Sequence, residues 1–226
     1  MRKTMIGLVA VGALGLGLVS TGPADARTGD ATLNVVHGIP GVTVNVCVNG
    51  QDAIPDFQPG DVVSGVELPE GSYDVKIVAA SDACAGAAIL EADGVNLTAG
   101  KSYTAVANLN ADGTPNIKLF TNNVKPLRAG KARLVIRHTA EAPAVNVWAN
   151  GAVLIGGDEF VWGASRGFVV PKGSYKAKVT LPGQSKAVIG PATLTLKPGS
   201  AYQVYAWGDG TDGYGLAVVA TRVGTK

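Results

Sequence analysis

The chain repeats its own sequence pattern after about 100 residues, and this duplication is the feature that most constrains its fold. Three short motifs recur in the same order in both halves: VNVCVNG at 44–50 and VNVWANG at 145–151, LPEGSY at 68–73 and VPKGSY at 170–175, AGKSY at 99–103 and PGSAY at 198–202. A period of this size equals one whole domain and is too long for a solenoid repeat. Features present in both copies are therefore expected to serve the fold, and functional residues are expected among the differences.

Residues 1–26 have the composition of a secretory signal peptide. Arg2 and Lys3 precede an apolar, glycine-containing run from Met5 to Val19, and small residues surround the expected cleavage point after Ala26. This order predicts export, and a retained membrane anchor is the alternative, although the run is short for a span of about 20 residues. We expect a mature protein that is secreted, extracellular or held in the cell envelope, with no membrane span after cleavage.

The mature chain alternates apolar and polar residues, and this period of two predicts an all-β fold. Expected strands of the first copy lie near 31–37, 43–48, 61–68, 72–79, 88–97, 102–109 and 115–121. About seven short strands per copy, separated by glycine- and proline-containing turns, predict two tandem immunoglobulin-like antiparallel β-sandwiches. The expected order is a signal peptide, a first sandwich at 27–124, a linker at 125–131 and a second sandwich at 132–226.

The two halves of the mature chain carry opposite net charges. Residues 27–126 hold 5 basic and 11 acidic side chains, and residues 127–226 hold 12 basic and 5 acidic ones, which gives −6 and +7. A basic domain can indicate an anionic partner. Because the basic residues are scattered rather than clustered, we expect no nucleic-acid partner. The alternatives are attraction between the two domains, or faces that are merely solvated.

Cys47 and Cys84 are the only cysteines, and in an exported chain they predict a disulfide. Alternation places Cys47 on the side of its strand opposite to the valines that form the core. The first copy is three residues longer than the second between the stretches that contain Tyr73 and Tyr103, and Cys84 lies in this longer stretch. We expect a loop that folds over the outer face and is held there by the disulfide. In the second copy Trp148 takes the position of Cys47.

Three stretches of the second copy, at 133–138, 142–151 and 170–175, follow one pattern. It consists of His138, a short turn, Ala-Pro-Ala-Val-Asn-Val at 142–147, Asn-Gly at 150–151 and Pro-Lys-Gly-Ser-Tyr at 171–175. In this pattern the chain resembles two tandem copies of the bacterial extracytoplasmic family called domain of unknown function 4397. The first copy departs from it, with Gly-Ile-Pro-Gly at 38–41 and Asn45 where the family often has Asp. The resemblance implies a secreted sandwich fold and no established activity.

His37 and His138, the two histidines, occupy the same repeat position at the end of the first strand of each copy. This duplication predicts a structural role, and the sequence contains no Gly-x-Ser-x-Gly nucleophile motif. We expect no catalytic residue, no cofactor and no metal. Calcium is an alternative at the carboxylates Asp52, Asp56, Asp61, Asp82, Glu91 and Asp93, or at the hairpin 209–213, although the matching Asp-Gly-Thr at 112–114 favours a turn role there.

All three tryptophans lie in the second copy. Trp207 and Tyr205 flank Ala206 in one strand, so at least one face of that strand is expected in a core. Trp148 and Trp162 are the better surface candidates, and we predict that they form a partner-binding patch. The predicted function is a non-catalytic binding or structural protein whose partner is an envelope or extracellular protein or glycan. The alternatives are a cell-wall carbohydrate-binding module and an envelope hydrolase or metal-dependent enzyme.

Overall fold

The computed structural model describes residues 29–226, which form sixteen strands and one short 3₁₀ turn at Gly157–Glu159. The first domain contains β1 (Ala31–His37), β2 (Val44–Val48), β3 (Gln51–Phe57), β4 (Val62–Leu68), β5 (Gly71–Ala79), β6 (Ala88–Leu97), β7 (Ser102–Leu109) and β8 (Pro115–Thr121). The second contains β9 (Lys131–His138), β10 (Asn146–Ala149), β11 (Ala152–Ile155), β12 (Ser165–Pro171), β13 (Gly173–Thr180), β14 (Ala187–Leu196), β15 (Ser200–Asp209) and β16 (Gly213–Arg222). The predicted signal peptide lies outside the described residues. In the part that is described, no helix has the length and apolar character needed to cross a membrane.

Both domains have the same topology, and the prediction of two tandem β-sandwiches is confirmed. The first domain pairs the sheet β4-β1-β7-β8 with the sheet β3-β2-β5-β6. The second domain repeats this arrangement as β12-β9-β15-β16 and β11-β10-β13-β14. The first strand of each domain lies parallel to the seventh, and the other pairings are antiparallel. We call the sheets β4-β1-β7-β8 and β12-β9-β15-β16 the inner sheets and the other two the outer sheets.

The sequence did not predict β3, so the first domain has eight strands rather than the seven expected for it. β3 contains two aspartates and Pro55, which are uncommon in strands, and Asp56 has a positive φ of 50°. β3 is an edge strand that pairs with β2 alone, and the pairing shifts register near Val46. Proline and charged side chains are tolerated at such an edge, where one side of the strand needs no partner.

The cores of the two sandwiches differ in how completely they are filled. One continuous cluster of buried apolar side chains fills the second domain, whereas the first domain has two separate clusters. A cavity of about 50 Å³ lies between the sheets of the first domain, lined by apolar side chains together with His37 and Tyr73. A smaller side chain contributes to this cavity, because Ala105 stands where the second copy has Val204.

The two inner sheets pack against each other and form the contact between the domains. Buried side chains from both domains meet there: Val36, Val106, Tyr205, Ala217 and Val219, with Val62, Phe120 and Trp207 packed against them. Because each inner sheet is covered on its other face by its own outer sheet, the four sheets stack in the order outer, inner, inner, outer. The two outer sheets therefore lie at opposite ends of the molecule.

The segment between β8 and β9, which contains the predicted linker at 125–131, packs against the second domain. Leu127 is buried and forms backbone hydrogen bonds with Gly224 and Lys226 near the end of the chain. The guanidinium of Arg133 donates to the carbonyl of Lys125 at 3.0 Å. These contacts hold the segment in one position, and the short distance that it spans keeps the domains adjacent.

Candidate functional site

The two histidines hold equivalent loops in the two domains. His37 is fully buried, and its Nε2–H donates to the carbonyl of Val42 at 2.9 Å. His138 is 1% exposed and donates in the same way to the carbonyl of Pro143 at 3.0 Å. Burial lowers the pKa of both imidazoles, and the carbonyl acceptors only partly oppose this shift. Both rings are therefore neutral at pH 7, and the structural role predicted from their duplication agrees with these contacts.

These two imidazoles predict a loss of stability in mild acid. An unfolded histidine titrates at about pH 6.5, so below this pH the unfolded chain binds protons that the folded chain does not, and the free energy of unfolding falls. We expect the urea midpoint to decrease between about pH 7.5 and about pH 5. In the variant His37→Gln/His138→Gln the decrease should be smaller, whatever the midpoint at neutral pH. The same decrease in both proteins would contradict the role of the imidazoles.

The acidic residues considered for calcium do not converge. Among residues 29–226, no group of three His, Cys, Asp or Glu side chains is close enough to hold a metal ion together. The Asp-Gly-Thr hairpins use their carboxylates for turns: Asp112 Oδ1 accepts from the Thr114 hydroxyl at 2.6 Å, and Asp209 Oδ1 from the Thr211 N–H at 2.8 Å. The hydrogen bonds from Thr114 also lower the pKa of Asp112. The turn role that the duplication favoured is confirmed.

The predicted disulfide between Cys47 and Cys84 is present and holds a loop over the outer face of the first domain. Cys47 lies on β2 and is fully buried, although it points away from the sandwich core. The side chain of Asn45, two residues earlier on the same face, donates to the carbonyls of Ala80 and Asp82 at 3.3 and 2.9 Å. The covalent bond and these hydrogen bonds fix the loop between β5 and β6 against the strand, as predicted.

Trp148 takes the position of Cys47 in the second domain, on the outer face of its outer sheet. Its indole N–H donates to the hydroxyl of Thr180 at 3.0 Å, and Lys178 Nζ lies 4.9 Å from the ring centre. Val153 is paired with Trp148 on the neighbouring strand and is 48% exposed. The loop between β13 and β14 reaches this face, where Lys178 Nζ donates to the carbonyl of Ser185 at 3.4 Å, but no disulfide holds it there, and the indole is half-buried. Trp148, Lys178 and Val153 form a surface that we call the tryptophan face.

Trp162 lies elsewhere, at the contact between the domains. Its indole N–H donates to the carbonyl of Leu109 in the first domain at 2.9 Å, and Lys118 Nζ lies 5.1 Å from its ring centre. The structure therefore does not bring Trp148 and Trp162 together, and of the two predicted patch residues it places Trp148 on the solvent face of an outer sheet. Trp162 connects the domains.

The residues at the centre of the domain contact were missed by the sequence analysis. Arg137 is 5% exposed, its guanidinium lies 4.2 Å from the ring centre of Phe120, and its Nη1–H donates to the hydroxyl of Tyr205. Burial lowers the pKa of Arg137 and raises that of Tyr205, while each group opposes the shift of the other. The first copy has Val36 and Val106 at the positions of Arg137 and Tyr205. These apolar residues, on the side of a strand that faces away from its own core, were the sequence signal for a contact between the domains.

Trp207 is held at this contact by close packing. Its ring lies against Gly60 of the first domain, where a Cβ would approach a ring carbon to 2.7 Å, and against Gly215 on the neighbouring strand. Gly60 has a φ of +88°, a conformation that other residues rarely adopt. The turn between β3 and β4 therefore needs glycine at position 60 for two reasons: the positive φ of the backbone, and the space that the indole of Trp207 occupies.

Rows of paired side chains show how the two outer faces differ. Residues that are directly opposite in an antiparallel sheet share one face. In the first domain the row on the side away from the core runs through Asp52, Cys47, Lys76 and Glu91, and the disulfide loop covers Cys47. In the second domain the equivalent row runs through Val153, Trp148 and Lys178. The second row contains no carboxylate and adds a large aromatic side chain.

Two β-sandwiches of one topology, joined through their inner sheets, define a two-domain β-sandwich protein with a disulfide on one outer sheet and a tryptophan face on the other. The chain matches the family described as Domain of unknown function (DUF4397) over residues 31–148, and it belongs to this family. The match extends from β1 into β10 of the second domain. No curated protein is similar to the chain in sequence.

Proposed function

We propose that the protein is a non-catalytic binding protein, made of two tandem copies of the family domain, that acts outside the cytoplasm through its tryptophan face. The observation that carries this proposal is the environment of Trp148. Its half-buried indole lies beside Lys178 and the exposed Val153, on the outward face of an outer sheet. Partly exposed aromatic side chains on a rigid sheet are common anchors for protein partners and for sugar rings.

Two further features support this function and location. The Cys47–Cys84 disulfide is stable in an oxidising compartment, which favours secretion or the cell envelope. The cavity of the first domain is lined by apolar side chains with His37 and Tyr73, a composition that does not favour the alternative of an envelope hydrolase. A cell-wall glycan is the second candidate ligand, because an indole beside a lysine can stack on a sugar ring.

Binding to the tryptophan face can be tested with detergent-solubilised envelope proteins and purified cell-wall glycan as two separate ligands. We expect Trp148→Ala to weaken binding to one of them about 30-fold, which corresponds to about 2 kcal/mol for an aromatic anchor. Val153→Ala should weaken it less. Val169→Ala is a matched control, since Val169 is 57% exposed but lies on an inner sheet. Unchanged binding of both ligands by Trp148→Ala would refute the proposal.

A further inference from the structure

The charge difference between the two halves of the chain is concentrated in the outer sheets. Residues 44–57 and 70–99, which form the outer sheet of the first domain and its connections, contain seven carboxylates and one lysine. The equivalent residues of the second domain, 145–160 and 172–198, contain five lysines and two carboxylates, Asp158 and Glu159. One end of the molecule is therefore acidic and the opposite end is basic.

One exposed pair of equivalent positions shows the same reversal, although Lys76 and Lys178, which pair with Cys47 and Trp148, are lysine in both sheets. The backbone N–H groups of Asp74 and Lys176 donate to Asn49 Oδ1 at 2.9 Å and to Asn150 Oδ1 at 3.0 Å, so the two residues occupy the same place in their sheets. A carboxylate in the first domain is thus an ammonium group in the second. Both side chains are exposed, and burial in the core does not dictate either charge.

These charges are not used to join the two domains within one molecule. The ion pairs found within residues 29–226 are Lys76–Glu91 at 3.8 Å and Arg166–Glu159 at 3.7 Å, and each lies inside a single domain. The contact between the domains is built from apolar and aromatic side chains around Arg137. Attraction between the two domains of one chain therefore does not account for the opposite charges of the outer sheets.

We propose that the protein associates head to tail, with the acidic outer sheet of one copy against the basic tryptophan face of the next. This rests on the proposed function, since it names the partner of the tryptophan face as a second copy of the chain. The two complementary faces lie at opposite ends of the stack of four sheets. An interface between different faces does not close a two-fold dimer, and it generates an open chain of molecules instead.

The size of the faces indicates a weak, salt-sensitive contact. Four strands about 4.8 Å apart, each about seven residues long at about 3.3 Å per residue, offer roughly 450 Å² per face. The two faces together bury about 900 Å², below the roughly 1,200 Å² of stable complexes. Association is therefore expected at high local concentration, with Trp148 as the apolar anchor. Its dependence on opposite charges makes it sensitive to ionic strength.

Sedimentation velocity of the purified protein over a range of concentrations tests this directly. At about 0.01 M salt, where the screening length is about 30 Å, we expect the mean mass to rise continuously with concentration. At about 1 M salt, where it is about 3 Å, the protein should sediment as a monomer. A mass that stays that of the monomer at every concentration in low salt would overturn the proposal.

Two variants that each weaken one face make the test specific. Lys176→Ser/Lys178→Ser neutralises two of the five lysines of the basic face, and Asp52→Asn/Glu91→Gln/Asp93→Asn neutralises three of the seven carboxylates of the acidic one. Each variant alone should remain monomeric, while an equimolar mixture should form dimers and nothing larger, because each molecule keeps one functional face. Formation of larger species, or of no dimers, in the mixture would contradict head-to-tail contact.

A control variant keeps the charge change of the lysine variant but not its position. Lys125→Ser/Arg128→Ser lies in the segment between the domains and should associate like the natural protein. Circular dichroism of every variant checks the fold.

If the natural protein is monomeric but loses glycan or envelope-protein binding on Trp148→Ala, self-association is refuted and the proposed function stands. If Trp148→Ala changes neither association nor binding, both are refuted.

Discussion

Removal of the Cys47–Cys84 disulfide is expected to lower the free energy of unfolding by about 4 kcal/mol. The bond joins residues 37 positions apart, and closing a loop of this length removes conformational entropy from the unfolded chain. Small domains have about 5–15 kcal/mol of stability in total, so this loss is a large fraction of it. The loop between β5 and β6 would then depend on the hydrogen bonds of Asn45 alone.

The measurement is urea unfolding of Cys47→Ala/Cys84→Ala, followed by far-ultraviolet circular dichroism. Adding a reductant to the natural protein should lower its midpoint to a similar extent, and the reductant should have no effect on the variant. Ser81→Ala is a control, because Ser81 lies in the same loop and its hydroxyl makes an exposed bond to Asp82. If the reductant leaves the natural midpoint unchanged, the stabilising role of the bond is wrong.

The duplication allowed the sandwich fold and the outer face of the first domain to be predicted. Alternation in the motif at 44–50 assigned Val44 and Val46 to the core and Cys47 to the other side, and the extra residues around Cys84 indicated the covering loop. Each of these predictions came from comparing the same motif in the two copies. Where a strand departs from alternation, as β3 does with Pro55 and Asp56, this comparison gave no prediction, because edge strands follow weaker constraints.

The contact between the domains could not be predicted in the same way. An inner-sheet strand is covered on both faces, once by its own core and once by the other domain, so it loses the polar side that normally marks solvent. Val35 and Val36 are consecutive apolar residues in β1 for this reason. In the second copy Arg137 stands at the position of Val36. A charged residue there predicts a solvent-exposed surface, although the rings of Phe120 and Tyr205 bury it.

The two tryptophans of the predicted patch illustrate the same limit. Trp148 lies in a strand, and its alternation with Val147 correctly placed it on the side away from the core. Trp162 lies between the 3₁₀ turn and β12, where no periodicity assigns a direction to the side chain. Its indole N–H reaches Leu109, 53 residues earlier in the chain, and such a partner is visible only in three dimensions.

Tyr205→Ala is expected to have the other large effect, because it should lower the free energy of unfolding by about 4 kcal/mol. We also expect the two domains of this variant to unfold in separate transitions. The side chain is fully buried between the inner sheets, where its ring packs near Phe120 and its hydroxyl accepts from Arg137. Truncation removes buried apolar surface and also leaves the guanidinium without its hydroxyl partner. The unsatisfied buried donor accounts for about 1–3 kcal/mol of this loss of stability, and this contribution alone applies to Tyr205→Phe.

Tryptophan fluorescence and circular dichroism distinguish separation of the domains from general destabilisation. All three tryptophans are in the second domain, and Trp162 and Trp207 also contact the first, so their emission follows the second domain and its contact, whereas circular dichroism follows both domains. The two urea transitions should coincide in the natural protein and diverge in Tyr205→Ala. Tyr175→Phe is the matched control for Tyr205→Phe, because its hydroxyl donates to the carbonyl of Pro171 at an exposed site and should contribute less than about 0.5 kcal/mol. Coincident transitions with an unchanged midpoint in Tyr205→Ala would mean that the inner sheets do not stabilise each other.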